Sequence, residues 1–169
     1  MQTTSPSRPK LVSDTSEKGL EALIVGSVVD EAGYRQTEPS DFDRDHAVDP
    51  TVLLEFLKAT QPKTVEALGI GEDGPKRLQF LHRLQGEISK RGIVDVLRRE
   101  IKHGPADSVD LFYGTPTPGN KRSEDLFRTN IFSITRQLRY SKDEGQLALD
   151  MAVLINGLPF ATFELKNRL

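Results

Sequence analysis

The sequence contains no cysteine. That excludes a disulfide framework and any zinc site with thiolate ligands. Long hydrophobic runs are missing too: stretches such as Ala22–Val25 and Met151–Ile155 are far too short to span a bilayer. The N-terminal MQTTSPSRPK is polar and lacks the apolar centre of a signal peptide. A cytoplasmic protein with no membrane partner is therefore expected. There is no internal repeat and no glycine-rich phosphate loop ending in Gly-Lys-Ser/Thr. Nor is there an excess of positive charge. The formal net charge of −2 excludes a domain that holds nucleic acid by bulk charge.

What is present is an ordinary globular composition, with 36% hydrophobic and 28% charged residues in a chain of 169. That is enough for one domain with a real core. The charge is unevenly spread. Residues 1–60 carry 6 Lys/Arg against 11 Asp/Glu, and residues 61–140 carry 14 against 10. Such imbalance also arises by chance, but a basic middle beside an acidic hairpin suits an enzyme that holds phosphates and a metal.

Residues 1–14 are rich in Ser, Thr and Pro and read as a disordered tail. A single domain over 15–169 follows, mainly helical over 15–104, with a small sheet over 105–169. The first helix runs from Glu17 to Ala32, with Leu20, Leu23, Ile24, Val28 and Ala32 on one face. Residues 35–46 read as a loop. Asp49-Pro50 opens a second helix that ends before Pro62, a short one covers Lys63–Leu68, and Pro75 opens another. Gly92 breaks that helix, and a further one continues to Gly104. Val109–Tyr113 and Ile131–Tyr140 favour strands, separated by the loop GTPTPGN and a turn of helix capped by Ser123. Gln146–Ile155 and Phe160–Lys166 then form a hairpin around Asn156-Gly157. The expected class is α/β (α+β).

The hairpin carries the chemistry. Asp150 interrupts an otherwise apolar strand, and Glu164 and Lys166 stand two apart in its partner. Three ionisable groups in a half-buried hairpin are costly unless they pair or bind a cation. Two carboxylates supply hard oxygen ligands for Mg²⁺, and a neighbouring lysine can orient or deprotonate an attacking water. An acid–base pair on a solvated strand face is the plain alternative. A strict two-residue turn pairs Ile155 with Leu158 and sends Asp150 and Glu164 to opposite sides of the sheet. A shared site therefore requires a one-residue slip between them, a β-bulge or a wider turn.

Other patterns carry less. His46, His82 and His103 are scattered and read as ordinary polar positions. Asp41, Asp43 and Asp45 imitate the start of a calcium loop, but His46 stands where glycine is needed and no acid falls at the twelfth position. Lys121, Arg122, Arg128, Arg136 and Arg139 surround the sheet in sequence, and are candidates for binding phosphate groups as much as for solvated surface.

The stretch LDMAVLINGLPFATFELKN resembles the signature of the PD-(D/E)xK nucleases, in the form found in the R subunits (HsdR) of type I restriction enzymes. RTNIFSITRQLRYS is similar to the strand that precedes the family's aspartate, GLEALIVGSVVDEAGYRQ resembles the opening helix, and ATQP recurs in related chains. The resemblance implies a restriction-endonuclease-like core whose hairpin bears the site. It implies Mg²⁺ on Asp150, Glu164 and the Leu165 carbonyl, and Lys166 as catalytic lysine. Glu21, or else Glu17, would be the helix acid that some members add. The implied activity is a type I site-specific deoxyribonuclease on double-stranded DNA, partnered by modification (methyltransferase) and specificity subunits. The rival expectation is a non-catalytic docking module for those subunits. The family's Gln-x-x-x-Tyr helix after the lysine is not in this sequence, nor are the motor domains that use ATP, so the chain reads as truncated at its C-terminus.

Overall fold

The structure is a computed structural model that describes residues 17–104, 106–140 and 147–166. The tail expected over residues 1–14 lies outside these, as do Gln146 and Asn167. Among the described residues six α-helices and six strands follow in the order α1 (Glu17–Asp30), β1 (Arg35–Thr37), α2 (Pro50–Thr60), α3 (Pro62–Leu68), α4 (Pro75–Arg91), α5 (Ile93–Arg98), β2 (Ile101–His103), β3 (Ala106–Val109), α6 (Lys121–Arg128), β4 (Phe132–Arg139), β5 (Ala148–Ile155) and β6 (Leu158–Phe163). The fold is mixed α/β, consistent with a restriction-endonuclease-like core.

The helical half is specified by its caps. The Asp49 carboxylate accepts from the backbone N–H groups of Thr51 and Val52 at 3.0 and 3.1 Å, and Pro50 fills the first turn of α2. The helix then buries Val52, Leu53, Leu54, Phe56 and Leu57. Leu53, Leu54, Phe56 and Leu57 pack with Phe80, Leu81 and Leu84 of α4, Val96 and Leu97 of α5, and Ile101 and Val109 of the β2–β3 pair. Asp49 is buried, and the loss of water holds its carboxyl above the usual range. Asp49→Ala should cost about 1–2 kcal/mol in thermal or denaturant unfolding. Asp49→Asn, which keeps the acceptor without the buried charge, should cost less.

The main sheet has the order β1-β4-β5-β6. β4, β5 and β6 run antiparallel, and β1 adds to β4 in parallel. α1 lies on one face: Val25, with Ile24 and Val28, meets Ile134 and Met151. Ala152 and Leu154, which alternate with Met151 and Val153 along β5, pack with Leu138 and Phe42 on the other. Ile155 and Leu158, at the turn, join the helical core. The sheet is thus fastened to the helices at its hairpin end.

Several expectations need correction. The buried face of α1 is centred on Glu21 and Val25, one turn apart, whereas Leu20 and Leu23 are exposed. The α1 sequence is apolar nearly all round, so periodicity does not select the inward face. Arg35–Thr37, within the expected loop, is a short edge strand held by β4. α5 stops at Arg98, and Ile101 belongs to a strand. Leu111 and Tyr113 lie past the end of β3. The cap of α6 is Asn120, whose side chain accepts from the Ser123 N–H at 3.1 Å, so Ser123 receives the cap instead of supplying it. β6 ends at Phe163, which leaves Glu164, Leu165 and Lys166 just beyond the strand.

Candidate active site

Asn156 and Gly157 have φ angles of 51° and 82°, and Ile155 pairs with Leu158. This is the two-residue turn that Asn-Gly favours. The Asn156 side chain is fully buried. Its oxygen accepts from the Ile131 N–H at 2.7 Å, and its amide donates to the Leu111 carbonyl at 2.9 Å and to Asn130 Oδ1 at 3.0 Å. The turn therefore fixes where both strands begin.

From that turn the register slips once. Leu154 faces Pro159, but Val153 faces Ala161, so Phe160 is an extra residue in β6. Pro159 has no N–H to give to the ladder, which makes this a natural place for the pairing to break. The pairing resumes and reaches Met151 opposite Phe163. Extending it by one residue sets Asp150 opposite Glu164, where directly opposed side chains share a side. The slip that a shared site requires is present.

β4 bears on the same point. Arg136 pairs with Met151 and Leu138 with Leu149, so Gln137 stands across from Asp150. Gln137 has φ 49°, a left-handed conformation inside a strand that a non-glycine residue adopts at a cost. Successive strand residues normally point to opposite faces. Here Arg136 and Gln137 both reach Glu21 on α1. Arg136 Nε donates to Glu21 Oε1 at 2.6 Å, and Gln137 Nε2 donates to Glu21 Oε2 at 3.2 Å. Gln137 Nε2 also lies 3.4 Å from Asp150 Oδ1, and the Leu165 N–H donates to Asp150 Oδ2 at 2.6 Å.

Glu21 and Asp150 are therefore brought together across one amide group. Glu21 is only 3% exposed, an acid on the buried face of a helix, kept tolerable by the Arg136 guanidinium. Glu164 and Lys166 are exposed, and their side chains form no hydrogen bond or ion pair among the described residues. Leu165 contributes its N–H to Asp150, a different contact from the carbonyl ligand expected. Glu17 opens α1 one turn before Glu21 and is exposed. Among the described residues no three His, Asp or Glu side chains are already arranged as a metal cage. The donor chemistry nonetheless fits a hard divalent cation: a buried carboxylate, a second within reach of the same nitrogen, and a third opposite the second across the strand pair. In the state described, Arg136, Gln137 and the Leu165 N–H occupy the carboxylate oxygens that such an ion would use.

The candidate phosphate-binding residues separate. Arg136 is engaged by Glu21, and Arg128 pairs with Asp125 at 3.5 Å. Lys121 and Arg122 are exposed on α6. Arg139 lines a surface cleft of about 390 Å³ with Pro39, Ser40, Arg44 and Gln137. Gln137 thus borders both the carboxylate pair and a cleft carrying two arginines. His46, read as an ordinary polar position, is buried: its Nδ1 is 2.6 Å from Asp43 Oδ2, and its ring stands edge-on to His82 at 4.6 Å. Sequence spacing singled out neither Gln137 nor Arg44.

Among the described residues no helix is long and apolar enough to cross a membrane. No curated protein and no solved structure matches the chain. The family described as type I restriction enzyme R protein N terminus matches residues 14–169, nearly the whole sequence. The chain belongs to that family, the N-terminal region of the type I restriction enzyme R protein.

Proposed function

We propose that the chain is the DNA-cleaving domain of its R subunit, hydrolysing phosphodiester bonds of double-stranded DNA with a PD-(D/E)xK site formed by Asp150, Glu164 and Lys166. The observation that carries this is the slip at Phe160, which brings Met151 opposite Phe163 and so directs the next pair outward, Asp150 and Glu164, to one side where a regular hairpin would separate them. The approach of Glu21 to Asp150 supports it further and favours Glu21 over Glu17 as the helix-borne acid. Asp150 and Glu164 would hold Mg²⁺, with Glu21 beside them. When bound, the ion supplies Lewis-acid polarisation of the phosphoryl oxygen and acidifies its water. The Lys166 ammonium would orient the attacking water and offset charge developing on phosphate. Arg139 and Arg44 line a cleft suited to a neighbouring phosphate of the same strand. The domain reads no base sequence in this account. Modification and specificity subunits choose the target, and ATP is used by the motor domains of the same subunit.

The test is Glu164→Ala in the assembled enzyme. Loss of cleavage with ATP hydrolysis and assembly retained is the expected result. Cleavage that persists while assembly fails would favour a docking role for this domain instead. Arg139→Ala is a milder companion: it should weaken DNA binding severalfold and lower the salt dependence of binding by about one phosphate contact.

A further inference from the structure

Gln137 is a polar side chain that the metal site described above does not use, yet it has the least ordinary geometry in the sheet. Its φ of 49° breaks the alternation of β4 and turns its amide toward α1. One nitrogen, Nε2, then lies 3.2 Å from Glu21 Oε2 and 3.4 Å from Asp150 Oδ1. Two carboxylates that approach one point repel each other unless something electropositive stands between them. Here that something is an amide N–H₂. The strained backbone is needed for it, because an ordinary strand conformation would direct Gln137 away from the face where Arg136 meets Glu21.

We propose that Gln137 is a positioning latch: its amide stands in for the divalent cation between Glu21 and Asp150 and gives up that place when the ion binds. The inference rests on the metal-dependent nuclease reading above. Its consequence follows from linkage. A contact made only in the ion-free state stabilises that state alone, so removing it must tighten ion binding. A residue that ligated the ion, or that merely supported the strand in both states, would not give this sign. The latch also adjoins the cleft lined by Arg44 and Arg139, so its release would be coupled to the surface on which a phosphate is expected.

The experiment is calorimetric titration of Mn²⁺ into the 169-residue chain, its Gln137→Gly and Gln137→Glu variants, and Asp150→Ala. Glycine removes the amide while accepting the left-handed backbone without steric cost. Glutamate keeps the shape of the side chain and replaces the amide donor with a further carboxylate. Gln137→Gly should bind Mn²⁺ about three- to tenfold more tightly than wild type, the order expected from losing one or two half-exposed hydrogen bonds to carboxylates. Gln137→Glu should also bind more tightly, and should be less stable than wild type to denaturant until Mn²⁺ is added. Unchanged or weaker binding in either variant, with wild-type binding that Asp150→Ala removes, would overturn the latch and leave the metal site standing. Absence of Mn²⁺ binding in wild type and all variants would overturn the metal-dependent reading and the latch with it.

Discussion

Asp150→Ala should lower DNA cleavage by the assembled enzyme about 10³-fold or more, while the domain stays folded. The size follows from what the carboxylate does in the proposed site. Removing one preorganised group that stabilises transition-state charge typically costs 10²–10³ in rate, roughly 3–4 kcal/mol, and loss of a metal ligand removes the ion's contribution as well. The small structural effect follows from the contacts. Asp150 is half-buried and, among the described residues, accepts only from the Leu165 N–H and from Gln137. Its removal also relieves its repulsion with Glu21. Cleavage assays and thermal unfolding on the same preparation separate the two. A folded variant that cleaves within tenfold of wild type would remove Asp150 from the catalytic site, and one that unfolds would place its role in structure.

Gly157→Ala should do the reverse, destabilising the domain by about 3 kcal/mol through strain and overpacking. Gly157 has φ 82°, and a Cβ there would stand 2.9 Å from the Leu53 N–H nitrogen and press on the Asp49 carbonyl oxygen at the start of α2. The Gly157 carbonyl accepts from the Asp49 N–H at 2.8 Å, so the turn cannot simply move away without losing a bond to the helix cap. For a domain of this size such a loss lowers the melting temperature by about 6–12 °C. A fall of under 2 °C would contradict the close packing of turn against helix. Because the turn sets the register that carries Asp150 to Glu164, cleavage should fall along with stability and recover at lower temperature. Asp150→Ala should show no such recovery.

The two results differ because the sequence encodes fold and site by different means. α2, α3 and α4 were legible from Asp49-Pro50, Pro62 and Pro75, where local capping chemistry decides the boundary. The Asn156-Gly157 turn was legible for the same reason. The slip at Phe160 was accessible to reasoning because strand alternation and a shared carboxylate site conflict without it. Arg35–Thr37 was not legible, since a three-residue strand exists only through its parallel pairing with Ser133, Ile134 and Thr135. The inward face of α1 is not legible in the sequence, because Leu20, Leu23, Ile24, Val25, Val28 and Val29 surround the helix and leave the sheet to choose. It chose the face that carries Glu21, paired with Arg136. Gln137 was invisible to spacing, because its place depends on one left-handed φ angle inside a strand.

The proposed function requires Asp150 and Glu164 to share a divalent ion. The direct measurement is anomalous diffraction from crystals of the chain soaked in Mn²⁺, for wild type and for Asp150→Ala. A single strong anomalous peak beside Asp150 and Glu164 in wild type, absent from the variant, is the predicted result. No peak at those side chains in wild type, or one that persists without the Asp150 carboxylate, would contradict the account.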